Sequence, residues 1–298
     1  MPALVQPARP SPRPHAMPSL IEQDHAAAAP AKQRRAVRAR RAMAQREGMA
    51  IGIGSVVLFL LLWWAVTASG LVRSDLLAGP GAVLRAFVRL SEQGYRGTSL
   101  AQDAGATVGR CLAGFILAVL LGVPLGLLMG TSRIAAAAFN WIVQLIRPLP
   151  PLSYMVLLIL WFGTNNGSKV ALLFLTAFPI VASAAMAGVR GVALQRVLAA
   201  RSLGASPAQL FAFVIFPSAL PMILTGMSIT LAAAFSTVVA AELLAANDGL
   251  GWLVLSAGRF LQNDVVLMGL ILLGLIGLVL AALLRGLDRR LVHWRGRE

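Results

Sequence analysis

Charged side chains are scarce in this sequence. Only 12% of the 298 residues are Asp, Glu, Lys or Arg, whereas 58% are hydrophobic and the mean hydropathy is +0.78. Soluble domains carry about 25% charged residues. The composition therefore argues against an ordinary soluble domain and indicates a protein embedded in a membrane.

Cysteine and histidine are also nearly absent, which excludes several kinds of site. The single cysteine, Cys111, has no partner for an internal disulfide and gives no metal cluster. The three histidines, His15, His25 and His293, lie in the terminal tails, so a histidine-based catalytic site in the core is excluded. We expect no metal and no cofactor.

The net charge of +15 is placed at the two ends of the chain. Nine Lys and Arg precede residue 49 and five follow residue 284, flanking the apolar core. This distribution is typical of cytoplasmic termini and favours contact with anionic lipid headgroups over nucleic acid. We therefore expect cytoplasmic termini, membrane lipid as a partner and no nucleic-acid partner.

Six apolar segments predict an all-α polytopic membrane protein with about six transmembrane helices. The predicted spans are 51–68, 108–129, 134–163, 170–189, 223–244 and 265–284. The predicted organisation is a disordered basic cytoplasmic tail (1–48), a first anchor helix (49–72), an external loop (73–105), a core (106–285) and a basic cytoplasmic tail (286–298). A signal peptide competes with the anchor, but the apolar run is long and follows a 48-residue basic leader. Met43 and Met49 are alternative candidates for the first residue of the protein.

Proline interrupts the third span at Arg147-Pro-Leu-Pro-Pro151. Each proline removes a backbone donor, so we predict a broken helix completed by Leu152–Trp161. Irregular backbone at membrane depth is tolerated where it is buried in protein or lines a cavity. Arg147 is therefore a candidate for an anion pathway, with snorkelling to the inner headgroups as the alternative.

Glycines recur every four residues in the second span, at Gly122, Gly126 and Gly130. This spacing forms one flat ridge, which we predict to be a surface for close packing of another helix.

Glu242 is the only acid between Asp103 and Asp248, and it lies near the outer end of an apolar span. Carboxylates at membrane depth are costly and point to function. Two roles are open: a gate or substrate contact, or a structural hydrogen bond to the backbone of Gly249–Gly251.

The sequence Gly163–Lys169 superficially resembles a phosphate-binding loop. A P-loop has four residues between its glycines and then Gly-Lys-Ser/Thr. Here three residues separate Gly163 from Gly167, and Ser168-Lys169 follows. We predict a short external turn and no nucleotide site.

An unusual segment, Val197-Leu-Ala-Ala-Arg-Ser-Leu-Gly-Ala-Ser-Pro207, lies between the fourth and fifth spans. Gly204 is predicted to end a first short helix because glycine takes left-handed angles without a Cβ clash. Ser206 is the predicted N-cap, and Pro207 the first residue, of a second helix that continues to Pro217. Such an amphipathic bend between two spans is predicted to be a cytoplasmic contact surface.

The bend resembles the EAA loop of ABC-importer permeases, whose pattern is Glu-Ala-Ala, three residues, Gly, nine residues and Ile-x-Leu-Pro. Ala199, Ala200, Gly204 and Pro217 stand at the spacings of the pattern, whereas Leu198 occupies the glutamate position. The resemblance implies a contact with an ATPase through Ala199, Ala200, Arg201, Leu203, Gly204, Ala205, Ser206 and Pro217.

From Leu76 onward the sequence looks like the nitrate, sulfonate and taurine branch of these permeases, and most like taurine permeases. The resemblance is carried by Arg147–Pro151, Ala200–Ser206, Phe235–Leu243, Gly249–Gly251 and the tail Leu291–Trp294. It implies a type I ABC-importer permease fold and a homodimer in a bacterial inner membrane. It also implies two ABC ATPase subunits inside and a substrate-binding protein outside.

The resemblance implies a non-catalytic subunit that imports a small anionic or zwitterionic solute, with ATP hydrolysis on a partner chain. Taurine or another alkanesulfonate fits best, and nitrate and bicarbonate stay open. A secondary transporter is the alternative, and that class usually shows an internal repeat and several intramembrane ionisable groups. In this sequence only Glu242 and Arg147 qualify, and no repeat is visible. A membrane enzyme would need a nucleophile with a base, or paired acids, at membrane depth, and the sequence supplies neither.

Overall fold

A computed structural model describes residues 31–73 and 76–292, with side chains from residue 48 onward. Within those ranges the chain is helical and contains no β-strand, so the predicted all-α fold is confirmed. The helices are α1 (Ala31–Ala68), α2 (Pro80–Gln93), α3 (Leu100–Thr131), α4 (Arg133–Ile146), α5 (Met155–Phe162), α6 (Asn166–Arg190), α7 (Leu194–Ser202), α8 (Pro207–Leu210), α9 (Phe216–Ala245), α10 (Leu250–Arg259) and α11 (Asn263–Leu291).

Five helical stretches of the described chain are long and apolar enough to cross a membrane, and a bent pair of helices makes a sixth if the two count as one span. The five stretches are Gly48–Ala68, Leu100–Thr131, Asn166–Arg190, Pro207–Ala245 and Asn263–Leu291. The pair is Arg133–Ile146 and Pro151–Phe162, bent by 94°. By length and composition, the prediction of about six spans is confirmed.

Helix α1 begins well before the first apolar span. Residues 1–48 are predicted to be a disordered tail; the structure describes 31–48 of them as helical, and residues 1–30 lie outside the described part of the chain. The reason is local composition, since alanine, arginine, glutamine and lysine dominate this stretch and are strong helix formers.

Residues 73–105, predicted as an external loop with an amphipathic helix at Ala82–Leu90, are largely helical. The segment contains α2 and the first turn of α3, which begins at Leu100 and so earlier than the predicted span. Ser99 sets this start through a capping box. Its hydroxyl accepts from the Gln102 N–H at 3.2 Å, and the Gln102 side chain accepts from the Ser99 N–H at 2.9 Å.

The core forms where α3, α6 and α9 pack together. A Cβ added at Gly126 would lie 2.3 Å from the Ala182 carbonyl oxygen, and one added at Gly130 would lie 2.5 Å from Val189 Cβ. At Gly122 the nearest atom would be the Phe178 oxygen at 3.2 Å. The three-glycine ridge of α3 therefore lies directly against the backbone of α6. Small residues permit this close approach between helices in a membrane.

The helical structure of the third span is interrupted after Ile146, where α4 ends. A 3₁₀ turn, Pro151–Tyr154, then leads into α5. The Arg147 N–H still closes the last turn of α4 on the Val143 oxygen at 3.2 Å. Its side chain is exposed.

The helix bundle has two ends, which differ in the helix termini and connecting segments that lie there. The bend end carries the C-termini of α3, α6 and α11 and the segment Leu194–Pro207, which we call the bend. The cluster end carries the N-termini of α3, α6 and α11, the C-terminus of α9, and α10. The predicted tail 286–298 is helical as far as Leu291, because α11 continues through its last arginines, and residues 293–298 lie outside the described part.

Candidate functional site

The bend is a compact helix–turn–helix held by backbone hydrogen bonds. The Ala205 N–H donates to the Ala200 oxygen at 3.1 Å, and the Gly204 N–H donates to the Arg201 oxygen at 3.0 Å. These two bonds form a Schellman motif, which satisfies the free carbonyls at the end of α7. Gly204 has φ +79°, the left-handed conformation that this motif requires.

A capping box begins the helix after the bend. The Ser206 hydroxyl accepts from the Gln209 N–H at 3.3 Å, and Gln209 Oε1 accepts from the Ser206 N–H at 2.9 Å. Pro207 occupies the first helical position, where its missing N–H costs nothing. The sequence therefore fixes both sides of the turn by local chemistry.

The sequence predicts that the helix after the bend ends at Pro217, but in the structure it continues past this residue. The chain passes from α8 through a π turn, Phe211–Ile215, and continues directly into α9. In this wider turn the Phe216 N–H donates to the Phe211 oxygen. Pro217 lies in the first turn of α9, where a missing N–H is tolerated. The bend is thus rigidly continuous with a long span of the core.

The outer surface of the bend is apolar. Leu203 is 89% exposed at its tip, and Leu194 and Leu198 are also exposed. Ala199 and Gly204 are exposed, Ala200 and Ala205 are half-buried, and Arg201 and Ser206 are exposed between them. A cluster of exposed leucines beside charged groups is typical of a protein contact surface.

A buried ionic cluster occupies the opposite end of the bundle. Arg110 Nη1 lies 2.7 Å from Glu242 Oε1, and Arg110 Nη2 lies 2.5 Å from Asp248 Oδ1. Arg110 Nη1 also donates to the Asp248 carbonyl oxygen at 3.1 Å, and Nε donates to Asn166 Oδ1 at 2.8 Å. The Arg110 side chain is 3% exposed and the Glu242 side chain is fully buried. One guanidinium therefore joins α3, α6 and α9 to the segment before α10.

The same cluster caps the N-terminus of α10. The N–H groups of Gly249, Leu250 and Gly251 donate to Asp103 Oδ1 at 2.8 Å, Thr107 Oγ1 at 2.9 Å and Glu242 Oε2 at 3.0 Å, respectively. The first N–H groups of a helix lack intrahelical partners and attract negative charge. Side chains from α3 and α9 supply those partners here.

Gly249 is required at this position. Its φ is +104°, and an added Cβ would lie 2.5 Å from the Glu242 carboxylate. Of the two roles left open for Glu242, the geometry shows the hydrogen bond to the Gly249–Gly251 backbone, and it gives the carboxylate no exposed surface for a solute.

The sequence analysis missed the other members of this cluster. Asp103, Thr107 and Arg110 lie four and three residues apart, so they share one face of α3. Polar residues at that spacing in an otherwise apolar span were the available signal. Lys169 is also buried nearby, with Nζ donating to the Thr164 oxygen at 2.7 Å.

An open groove of about 770 Å³ runs between α9 and α11. Its lining is mainly apolar, with Phe235 packed near Gly277, and the hydroxyls of Ser228 and Ser236 and the guanidinium of Arg285 add polar groups. Its volume lies in the range of small-molecule sites.

The described chain thus has apolar spans with an exposed bend at one end and an internally paired ionic cluster at the other, the features of a membrane-embedded helical protein. Comparison with known proteins identifies its family. Residues 122–293 match the family described as binding-protein-dependent transport system inner membrane component, and the chain belongs to this family.

Curated relatives place the chain in one branch of that family. It is 43% identical over 247 residues to the taurine transport system permease protein TauC of Escherichia coli K12, covering 83% of this chain and 90% of the relative. It is 35% identical over 234 residues to the putative aliphatic sulfonates transport permease protein SsuC of the same organism, covering 78% and 87%.

A solved structure shows the same fold. The chain matches an inward-facing MetNI methionine ABC transporter with a TM-score of 0.56 and 22% identity, over 64% of this chain and 95% of the matched one. The expectations of an ABC-importer permease fold and of the taurine, sulfonate and nitrate branch are confirmed. The chain is a multi-pass, non-catalytic permease component of an ABC importer in an inner membrane.

Proposed function

We propose that two copies of the chain import taurine or another alkanesulfonate, driven by two copies of a separate ATPase, one docked on each bend. The observation that carries the proposal is the bend itself: a Schellman turn presenting exposed Leu203, joined without interruption to α9. The solute class is supported by the identity with relatives whose names refer to taurine and aliphatic sulfonates.

The distribution of charge supports a cytoplasmic bend end. The described arginines there stand at the start of α4, around the bend and in the last turns of α11, namely Arg133, Arg190, Arg196, Arg201, Arg285, Arg289 and Arg290. Asp288 is the only acid among them in the described chain. Most described acids lie at the cluster end. The cluster end also carries seven described basic residues, namely Arg73, Arg85, Arg89, Arg96, Arg110, Lys169 and Arg259, but five acids accompany them there. The net positive charge is therefore larger at the bend end, and together with the resemblance of the bend to an ATPase-contacting loop this supports a cytoplasmic bend and an outward-facing cluster end.

The mechanism follows from the continuity of the bend with the core. Closure of the ATPase pair displaces the bend as a rigid body, and the helix from Pro207 to Ala245 transmits that displacement to the outer end. There the Arg110 cluster ties α3, α6, α9 and α10 together, so these helices move as one unit. An external binding protein delivers the solute at that end.

The solute path lies between two copies of the chain in this proposal. The groove along α9 and α11 supplies an apolar wall with hydroxyls at Ser228 and Ser236 and a cation at Arg285, which suits a small anion or zwitterion. Exposed Arg147 remains a candidate contact for the sulfonate group. Glu242 is not proposed as a contact, because its oxygens are used by Arg110, Thr107 and Gly251.

The test is ligand-stimulated ATP hydrolysis by the complete transporter in liposomes. We expect hydrolysis to rise several-fold when the binding protein is loaded with taurine or an alkanesulfonate, and to stay at its basal rate with nitrate or bicarbonate. Stimulation by nitrate or bicarbonate alone would overturn the solute assignment. Uptake of any of these solutes without ATP and without an ATPase would favour an ion-gradient-driven transporter.

A further inference from the structure

Helix α2 has three distinct faces. Val83, Ala86 and Leu90 are buried and hold the helix on the core. The next face around the helix is apolar and yet exposed: Leu84 is 64%, Phe87 42% and Val88 48% exposed. The third face carries the exposed charged residues Arg85, Arg89 and Glu92. A surface helix of a soluble protein normally has one buried apolar face and one exposed polar face. The additional exposed apolar face of α2 therefore indicates that something outside the chain covers it.

Three contacts fix where α2 lies. At its N-terminus, a Cβ added at Gly79 would lie 3.2 Å from Oγ1 of Thr67, which is in the last turn of α1. Near its middle, Arg89 Nη2 bonds Asp264 Oδ2 at 3.1 Å, and Asp264 is the second residue of α11. At its C-terminus, a Cβ added at Gly94 would lie 2.4 Å from the carbonyl oxygen of Thr98, just before α3 begins.

Two of these contacts are to the terminal turn of an apolar span, and the third is to the residue that precedes the N-cap of α3. A helix of 14 residues that makes these three contacts along its length runs in the plane where those spans leave the hydrocarbon. That plane is the membrane–water interface, whichever side of the membrane the cluster end faces. The placement therefore does not depend on the proposed solute or on the proposed orientation.

We propose that α2 is an interfacial membrane helix whose exposed apolar face, Leu84, Phe87 and Val88, is buried in the lipid of the leaflet at the cluster end. Helices that lie in the interface place aromatic and aliphatic residues among the acyl chains and basic residues toward the headgroups. Arg85, on the adjoining face, is placed to reach a lipid phosphate by extending along the apolar surface, whereas Arg89 is held by Asp264. The partner is thus a phospholipid surface rather than a protein.

The experiment places a fluorescent probe on each exposed face of α2 in the full chain. Val88→Cys and Glu92→Cys are each labelled with bimane and reconstituted in liposomes of phosphatidylcholine and phosphatidylglycerol, with and without brominated phosphatidylcholine. Both positions are exposed, so both variants should fold. The native Cys111 is fully buried, so the unsubstituted chain measures background labelling.

We expect brominated lipid to quench the probe at position 88 on the order of threefold more strongly than the probe at position 92, because only the first side chain faces the acyl region. Equal quenching at the two positions would overturn the proposal, as would no quenching at position 88. A probe at position 88 that lipid does not quench, but that changes its emission when a binding protein is added, would show that the face is a protein-docking surface instead.

Discussion

Replacing Arg110 with methionine is expected to destabilise the protein more than any exposed substitution. The change leaves Glu242 fully buried without its cation and removes the bond to Asn166. Removing one partner of a buried ion pair typically costs about 3–5 kcal/mol, because the remaining charge is uncompensated. The expected result is a large fall in the thermal-unfolding midpoint, measured in detergent by fluorescence-detected size-exclusion chromatography.

Two further variants separate lost charge compensation from lost packing. Arg133→Met removes an exposed arginine at the start of α4 and should change stability by less than about 0.5 kcal/mol. Adding Glu242→Gln to Arg110→Met removes the stranded charge while keeping an acceptor for the Gly251 N–H, so it should recover part of the loss. A double variant that loses stability additively would contradict the role of Arg110 as the counter-charge of Glu242.

Replacing Gly204 with valine is expected to abolish most ATP-driven uptake while leaving the amount of protein in the membrane unchanged. At φ +79° a left-handed residue with a Cβ costs about 1–2 kcal/mol. A penalty of that size lowers the population of the native turn roughly 5- to 30-fold relative to alternatives. No atom lies within 4 Å of an added Cβ, so the effect acts through the backbone and not through a clash. Uptake of labelled solute by cells or proteoliposomes measures it.

Gly204→Asn is the matched control, because asparagine adopts left-handed angles far more readily than valine. It should retain most of the uptake. Equal uptake by the valine variant and the native chain would show that the geometry of the bend does not transmit the ATPase motion.

Local chemistry made the bend predictable from the sequence. Gly204 and Ser206 act through hydrogen bonds to residues within five positions, and Pro207 acts through its fixed φ at the first helical position. Their roles therefore follow from residue type and order. The prediction that the helix after the bend ends at Pro217 was wrong, because in sequence a proline in the first turn of a helix cannot be told from a proline that follows a helix end. Only the π turn before it, Phe211–Ile215, distinguishes the two cases, and that turn depends on the register of the whole helix.

The ionic cluster was less predictable because its members are distant in sequence. Arg110 and Glu242 are 132 positions apart, and only the packing of α3 against α9 brings them together. The sequence indicated that Glu242 needed a partner, and it offered the Gly249–Gly251 backbone as one. It did not single out Arg110, although the spacing of Asp103, Thr107 and Arg110 on one face of an apolar helix was a usable signal.

The disorder expected before residue 49 shows the limit of compositional reasoning. A segment without apolar periodicity has no face to pack on a core, which favours disorder. Alanine and arginine nevertheless have high intrinsic helix propensity, and α1 begins at Ala31. For a segment continuous with a long apolar span, propensity was the better guide, because the span supplies the nucleus from which a helix extends.

Photo-crosslinking from the tip of the bend tests the central claim most directly. A photoreactive amino acid at Leu203, 89% exposed, is compared with one at Leu261, 81% exposed between α10 and α11 at the cluster end. In the assembled transporter we expect a covalent adduct between position 203 and an ATPase subunit, and none between position 261 and that subunit. An ATPase adduct from position 261, or none from position 203 in a complex that still imports solute, would contradict the account.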